Sequence, residues 1–179
     1  LYKSGNSKGT KVPHYVSNSG YLDIENARSK VGGSQYDYEL YIYNLEKDTV
    51  YTVETSEIPG IKDKPEYLKE YKNEIKNDEP RNVLTFGPFW SDNGEKAVIT
   101  VRSKDNKDRW IMLLDPATGK PSLIDRQHDE AWIAGPGISG SGWGEELGWL
   151  PENKHVWYQS EESVYSHLYI YNIEKGIEK

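Results

Sequence analysis

Apolar and polar positions along this chain change over in short runs, and one run is written more than once. Tyr38 to Tyr51 reads YELYIYNLEKDTVY, and Ser166 to Lys179 reads SHLYIYNIEKGIEK. A third copy, RWIMLLDPATGKPSLID, sets Asp115 where the others have Asn44 and Asn172. Each copy is an apolar stretch, an Asn or Asp able to seat a tight turn, a few polar residues, and a Gly or Asp. The copies that begin at Tyr38 and Arg109 continue into TVYTVE and KPSLID, so the pattern predicts a hairpin each time.

A second repeat lies upstream of two of these copies. FWSDNGEKAVITV aligns with GWLPENKHVWYQS, matching Trp90 with Trp149, Gly94 with Asn153 and Ala97 with Val156. A strand ending in Trp, a turn of Asp, Asn, Gly or Pro, and a second strand make another hairpin. Two hairpins in series predict a four-stranded antiparallel meander. The strands carry apolar residues at consecutive positions, as in Leu40-Tyr41-Ile42-Tyr43 and Trp110-Ile111-Met112-Leu113-Leu114. A sheet with one wet face would alternate with polar residues, whereas one stacked between two others is apolar on both faces.

The expected fold is therefore all-β. It is a partial β-propeller over 1–179 with about three four-stranded antiparallel blades. The expected boundaries are a blade region at 12–54, an insertion at 60–81, a blade at 83–125 and an incomplete blade at 145–179. A β-sandwich with aromatic-rich strands is the competing architecture. Trp90 and Trp149 are expected to be buried between blades. In the insertion, Tyr67, Leu68, Tyr71 and Ile75 fall at helical spacing between Pro65 and Pro80, which predicts a short surface helix or an ordered loop. The polar segment LYKSGNSKGTK reads as a frayed terminus or the remainder of an earlier hairpin.

Composition narrows the function. Tyr occurs 14 times and Trp 6 times against 2 Phe and 1 Met, which favours strands and half-wet packing layers. A formal charge of −7 argues against a nucleic-acid partner, because a phosphate-binding face needs clustered Lys and Arg. No apolar run reaches the roughly 18 residues of a membrane span. The absence of cysteine excludes disulfides and thiolate metal sites. The chain begins at Leu1 rather than Met, so it reads as a piece of a longer protein.

Candidate chemistry is sparse. Gly135-Pro136-Gly137-Ile138-Ser139-Gly140 satisfies G-x-G-x-x-G after the strand-like EAWIA, and Glu161 follows at a plausible distance. The dinucleotide motif needs a helix in between, and Gly142, Gly144, Gly148 and Pro151 argue against one. An inter-blade loop is the better account. A nucleophile elbow around Ser139 or Ser141 fails, because each stands where the other's motif requires Gly. His128-Asp129-Glu130 lacks a supporting H-E-x-x-H or H-x-H pair, and adjacent residues of an extended chain face opposite ways. His14, His155 and His167 share no ligand spacing. The pairs Glu145-Glu146 and Glu161-Glu162 could hold a cation but read more simply as solvated loop charge. The expectation is no catalytic, cofactor-binding or metal-binding residue and no cofactor.

DRWIMLLDPATGKPSLIDRQHDEAWIAGPG, GWLPENKHVWYQSEESVYSHLYIYN and VPHYVSNSGYLDIENARSKVG together resemble the propeller of the prolyl oligopeptidase family, in the bacterial part of its dipeptidyl peptidase IV branch. The resemblance covers about three quarters of the chain and leaves Gly60 to Arg81 unmatched. It implies a seven- or eight-bladed propeller over an α/β-hydrolase domain carrying a Ser-Asp-His triad, in a periplasmic or secreted protein. That branch also holds the substrate's amino terminus with a glutamate pair in a helical stretch. Glu145-Glu146 sits in a Gly-rich loop and Glu161-Glu162 at a strand end, so neither is assigned that role. The implied function is a non-catalytic fragment shaping substrate access, with the hydrolase domain, the remaining blades and the parent's peptide substrate as partners. The alternative is a stand-alone propeller-like module binding peptide or glycan. With three residues after its last turn, the copy at Ser166 to Lys179 is expected to lack a full fourth strand, leaving an open edge at Ser166–Asn172 and a tendency to self-associate.

Overall fold

The computed structural model describes residues 2–4, 8–30, 38–70, 79–135, 137–138 and 146–178. Its elements are β1 (Tyr2–Ser4), β2 (Thr10–His14), β3 (Asp23–Ala27), β4 (Tyr38–Asn44), β5 (Thr49–Thr52), a 3-10 helix (Glu66–Glu70), β6 (Val83–Trp90), β7 (Ala97–Ser103), β8 (Asp108–Leu114), β9 (Pro121–His128), β10 (Leu147–Trp149), β11 (His155–Ser160), β12 (His167–Asn172) and β13 (Gly176–Glu178). Four antiparallel sheets of two to four strands account for all of the strands. The fold is propeller-like and nearly all-β. It divides into two units, Tyr2–Glu39 and the chain from Leu40 onward. In the first unit, β2 and β3 pair from Thr10 opposite Ala27 to His14 opposite Asp23, and nearly all of their side chains are exposed.

In the second unit the repeats take equivalent places. β6-β7-β8-β9 and β10-β11-β12-β13 are four-stranded meanders of the same order. The copies of LYIYN become β4, β8 and β12, each hairpinned to the next strand. Their turns share one chemistry. Asn44 Oδ1 accepts from Lys47 N at 2.9 Å, Asp115 Oδ1 from Ala117 N at 3.0 Å, and Asn172 Oδ1 from Glu174 N at 3.0 Å. Four residues on in each, Asp48, Gly119 and Gly176 take φ of 47°, 72° and 95°. That left-handed conformation is why the repeat writes Gly or Asp there.

The second repeat is equally regular in its backbone, since Trp90 pairs with Ala97 and Trp149 with Val156. Gly94 and Asn153 hold φ of 71° and 58°. The side chains diverge. Trp149 is partly buried and its Nε1 donates to Phe89 O at 3.0 Å, whereas Trp90 is 47% exposed. The expected burial of Trp90 is therefore corrected. β6 stands opposite Trp149, whereas Trp90 borders an open groove that it shares with Tyr41 and Tyr43 of β4.

Two apolar layers flank β6–β9. One face sends Ala97, Ile99, Val101, Trp110, Met112 and Leu114 against Leu40, Val53, Ile58 and Ile61. The other sends Val98, Ile111 and Ile124 against Leu147, Val156 and Tyr158. Ile99, Ile111 and Leu114 are wholly buried, each contributing roughly 1.5–3 kcal/mol of transfer free energy. The consecutive apolar positions thus face two different neighbours. Tyr158 and Tyr169, opposite one another on β11 and β12, stack at 5.7 Å. Gln127 Nε2 donates to Gln159 O at 2.9 Å, tying β9 to β11, while its Oε1 accepts from buried Arg109 at 3.0 Å.

β13 is short, pairing with Ile170, Tyr171 and Asn172 of β12, so the edge expected to be open is covered along that half. The insertion contributes the 3-10 helix at Glu66–Glu70 with Tyr67 exposed. Tyr71 and Ile75 lie outside the described residues. EAWIA is not a strand. Asp129 Oδ1 accepts from Ala131 N at 2.6 Å and Trp132 N at 3.1 Å, which turns the chain at the end of β9.

Candidate functional site

The densest polar chemistry converges on Asp108, the first residue of β8. Its side chain is fully buried. Arg81 Nη1 donates to its Oδ2 at 2.6 Å, and Arg126 Nε donates to its Oδ1 at 2.9 Å. His128 Nδ1 lies 3.0 Å from the same Oδ1. Arg126 Nη1 also donates to Asp63 Oδ2 at 2.6 Å, and Arg81 reaches Ile61 O and Gly60 O at 3.3 and 3.2 Å. Both guanidiniums lie over the Trp110 ring, at 5.4 and 5.8 Å. Burial pushes the Asp108 carboxyl up, but the bonds and charges of Arg81 and Arg126 outweigh it and hold it below the usual range. The cluster fastens Gly60, Ile61, Asp63 and Arg81 to the sheet and uses its donors internally, which suits architecture rather than turnover.

Beside it, a cavity of about 510 Å³ opens between the end of β9 and the loop after β11. Arg126, His128, Trp132, Gln159, Glu161 and Glu162 are among its walls. Asp125 nearby is pushed up by burial, with the Glu162 charge adding to the effect. Ser160 Oγ accepts from Glu162 N at 3.3 Å, and His128 is engaged by Asp108 and Glu130, so that serine and that histidine are not arranged as nucleophile and base.

Each residue singled out in the sequence has a definite place. Gly135 and Gly137 take φ of 122° and 78° and pack on the strand end. A Cβ on Gly137 would lie 2.4 Å from Gln159 Oε1 and 2.8 Å from Gln159 Cβ. The glycines are thus needed for close packing and a left-handed backbone. Gly137→Ala is expected to cost about 2 kcal/mol in urea unfolding, and a neutral result would mean that the loop stands clear of Gln159. Pro136, Ser139, Gly140, Ser141 and Glu145 lie outside the described residues. Glu146 is exposed, and its N donates to Gly137 O at 3.3 Å. Glu161 and Glu162 are exposed on the cavity rim.

The histidines are dispersed. His14 Nε2 lies 3.0 Å from Glu25 Oε2 across the β2–β3 hairpin. His155 sits between Glu152 and Asn172, and His167 is exposed opposite Ser160. His128 and Glu130 face one another, His128 Nε2 to Glu130 Oε1 at 3.0 Å. Among the described residues, no group of three or more His, Asp or Glu is placed to hold a metal, and no helix is long and apolar enough to cross a membrane. The Asp108 cluster was missed in the sequence, where a buried Asp beginning an apolar strand was the available signal.

The architecture defines the chain as a propeller-like all-β protein built of stacked antiparallel sheets. No family model and no curated protein sequence matches it. Among solved structures it is similar to a protein described as a dipeptidyl aminopeptidase IV of Bacteroides ovatus, with a TM-score of 0.59 and 13% identity, over 98% of this chain and 21% of that one. It is also similar to Porphyromonas gingivalis dipeptidyl peptidase 4, with a TM-score of 0.59 and 16% identity, over 96% of this chain and 20% of that one. At such identities the likeness concerns the fold. The chain spans about a fifth of the length of either protein.

Proposed function

We propose that this chain is a non-catalytic propeller segment of a dipeptidyl-peptidase-like serine exopeptidase, forming part of the wall through which peptide substrate reaches a hydrolase domain. The observation that carries this reading is the likeness to two bacterial dipeptidyl peptidases across 96% and 98% of the chain, within a fifth of their length. The uneven covering of its sheets supports it. β8 is covered on both faces, whereas β12 buries the face bearing Tyr169 and Tyr171 and exposes Leu168 at 67% and Ile170 at 39%. A further sheet stacked there would cover them, as the neighbours of β6–β9 cover its strands. The parent would be periplasmic or secreted.

A second reading, a module binding peptide or glycan, has one observation in its favour. Tyr41, Tyr43, Trp90, Pro88 and Pro116 line a groove of about 500 Å³.

Three tests bear on these readings. The isolated chain should hydrolyse no X-Pro chromogenic dipeptide and take up no fluorophosphonate. It should also self-associate in sedimentation through its open face, weakening at least about tenfold on Leu168→Lys with Ile170→Lys. The parent reading frame should carry a downstream G-x-S-x-G followed by Asp and His. A monomer indifferent to those substitutions, with peptide or glycan affinity abolished by Trp90→Ala, would establish the module instead.

A further inference from the structure

Between β5 and β6 the described residues 53–70 and 79–82 form a strap fastened to the end of the β6–β9 sheet in two places, by groups of different chemistry. At its base, Asp63 holds Arg126, Arg126 and Arg81 hold Asp108, and Arg81 binds the carbonyls of Gly60 and Ile61. Guanidinium and carboxylate charges do not change across the neutral range. At its tip, Glu66 N, which begins the 3-10 helix, donates to Glu130 Oε2 at 3.3 Å. Glu130 Oε1 is met by His128 Nε2, whose Nδ1 meets Asp108, each at 3.0 Å. Lys107 Nζ donates to the carbonyls of Glu130 and Ala131 and lies 5.5 Å from the Tyr67 ring.

We propose that the strap is a two-stage latch, with a base that stays locked across the neutral range and a helical tip that loosens when His128 loses a proton. An imidazolium donates from both nitrogens, so it can bridge Asp108 and Glu130 together. The neutral ring has one N–H, and either tautomer turns a lone pair towards one of the two carboxylates. Asp108 keeps its guanidiniums in that event, whereas the Glu130 carboxylate beneath Glu66 N loses the charge of the imidazolium in either tautomer, and its donor as well when the proton stays on Nδ1.

The charged groups around His128 come from each adjoining element. They are Arg126 on its own strand, Asp129 and Glu130 in the turn that follows, Lys107 and Asp108 where β8 begins, Arg81 and Asp63 from the strap, and Glu161 and Glu162 across the cavity after β11. Burial pushes the imidazole down, but the Glu130 bond and the Asp108 charge and bond lift it above its ordinary value. For a group raised in this way, the fastening is complete below the unfolded value of about 6.5 and is lost as pH rises through the folded value.

Hydrogen exchange of the full chain, normalised to intrinsic rates at pH 6 and pH 8.5, tests the proposal. Wild-type protection at Leu68 N, which donates to Pro65 O at 3.1 Å, should fall about fivefold over that interval. Arg81 N, bonded to Ile61 O at the base, should not change. In His128→Gln the fall at Leu68 should vanish, and Glu130→Gln should remove it through the other partner, so either variant suffices if the other fails to fold. An equal fall in wild type and variant, or base and tip opening together, would overturn the latch.

Discussion

Asp108→Ala is expected to destabilise the chain by about 3 to 5 kcal/mol in urea unfolding at pH 7. The carboxylate is fully buried, and the Arg81 and Arg126 side chains around it are 10% and 26% exposed. Removing it leaves Arg126 with Asp63 and Arg81 with only the more distant Asp105, and the penalty comes chiefly from guanidinium charge that little water can reach. Asp108→Asn should cost nearly as much, since it restores shape and one acceptor but aims an NH₂ at cations. The acid limb offers an independent check. The folded carboxyl lies below its ordinary value, so its contribution is present above about pH 3.8 and is lost as pH falls through the folded value. The mutant should therefore show a flatter loss of stability between about pH 4 and pH 2. A loss below about 1 kcal/mol, with an unchanged acid limb, would mean that the cluster is solvated.

These charges could not be paired from the sequence, and the reason is distance along the chain. Arg81 lies 27 positions from Asp108, Arg126 lies 18, and Asp63 is 63 from Arg126. No local period links such positions. The hairpins, by contrast, are written in adjacent residues, because the Asn44, Asp115 and Asn172 turns close within a few positions. The covering of β8 was legible for a related reason, since two layers imprint both parities of one strand, whereas β4 and β12, equally apolar in sequence, leave Tyr43 and Leu168 exposed. His128 and Glu130 occupy an intermediate case. Attention to adjacent residues set them apart, but side chains two positions apart share a face on an extended chain.

EAWIA misled because apolar content resembles a strand, whereas Asp129 seats a turn and Ile133 N is bonded to Asn106 O. Repetition also says more about backbone than about surroundings. Trp90 and Trp149 hold the same register, yet one has β6 against it and the other a groove. A repeat in sequence fixes which strand a residue belongs to, and the neighbouring sheet decides what it touches.

That distinction makes the tryptophans the second test. Trp110→Ala is expected to cost about 3 to 5 kcal/mol, while Trp90→Ala should cost about 1 kcal/mol or less. Trp110 is fully buried among Leu40, Val53, Ile58 and Ile61, and its Nε1 donates to Pro59 O at 2.9 Å. Truncation would open a cavity at the junction of sheet and strap, strand the Pro59 carbonyl, and remove the ring beneath both Arg81 and Arg126. Trp110→Phe separates these effects, since it restores most of the volume but not the N–H, and should cost about 1 to 2 kcal/mol. Trp90, with nearly half its surface in water, leaves no such void. Urea titrations of the three variants decide the matter. If Trp90→Ala proved as damaging as Trp110→Ala, the groove beside Tyr43 would have to be filled in solution, and the sheets would be covered as evenly as their sequence repeats suggest.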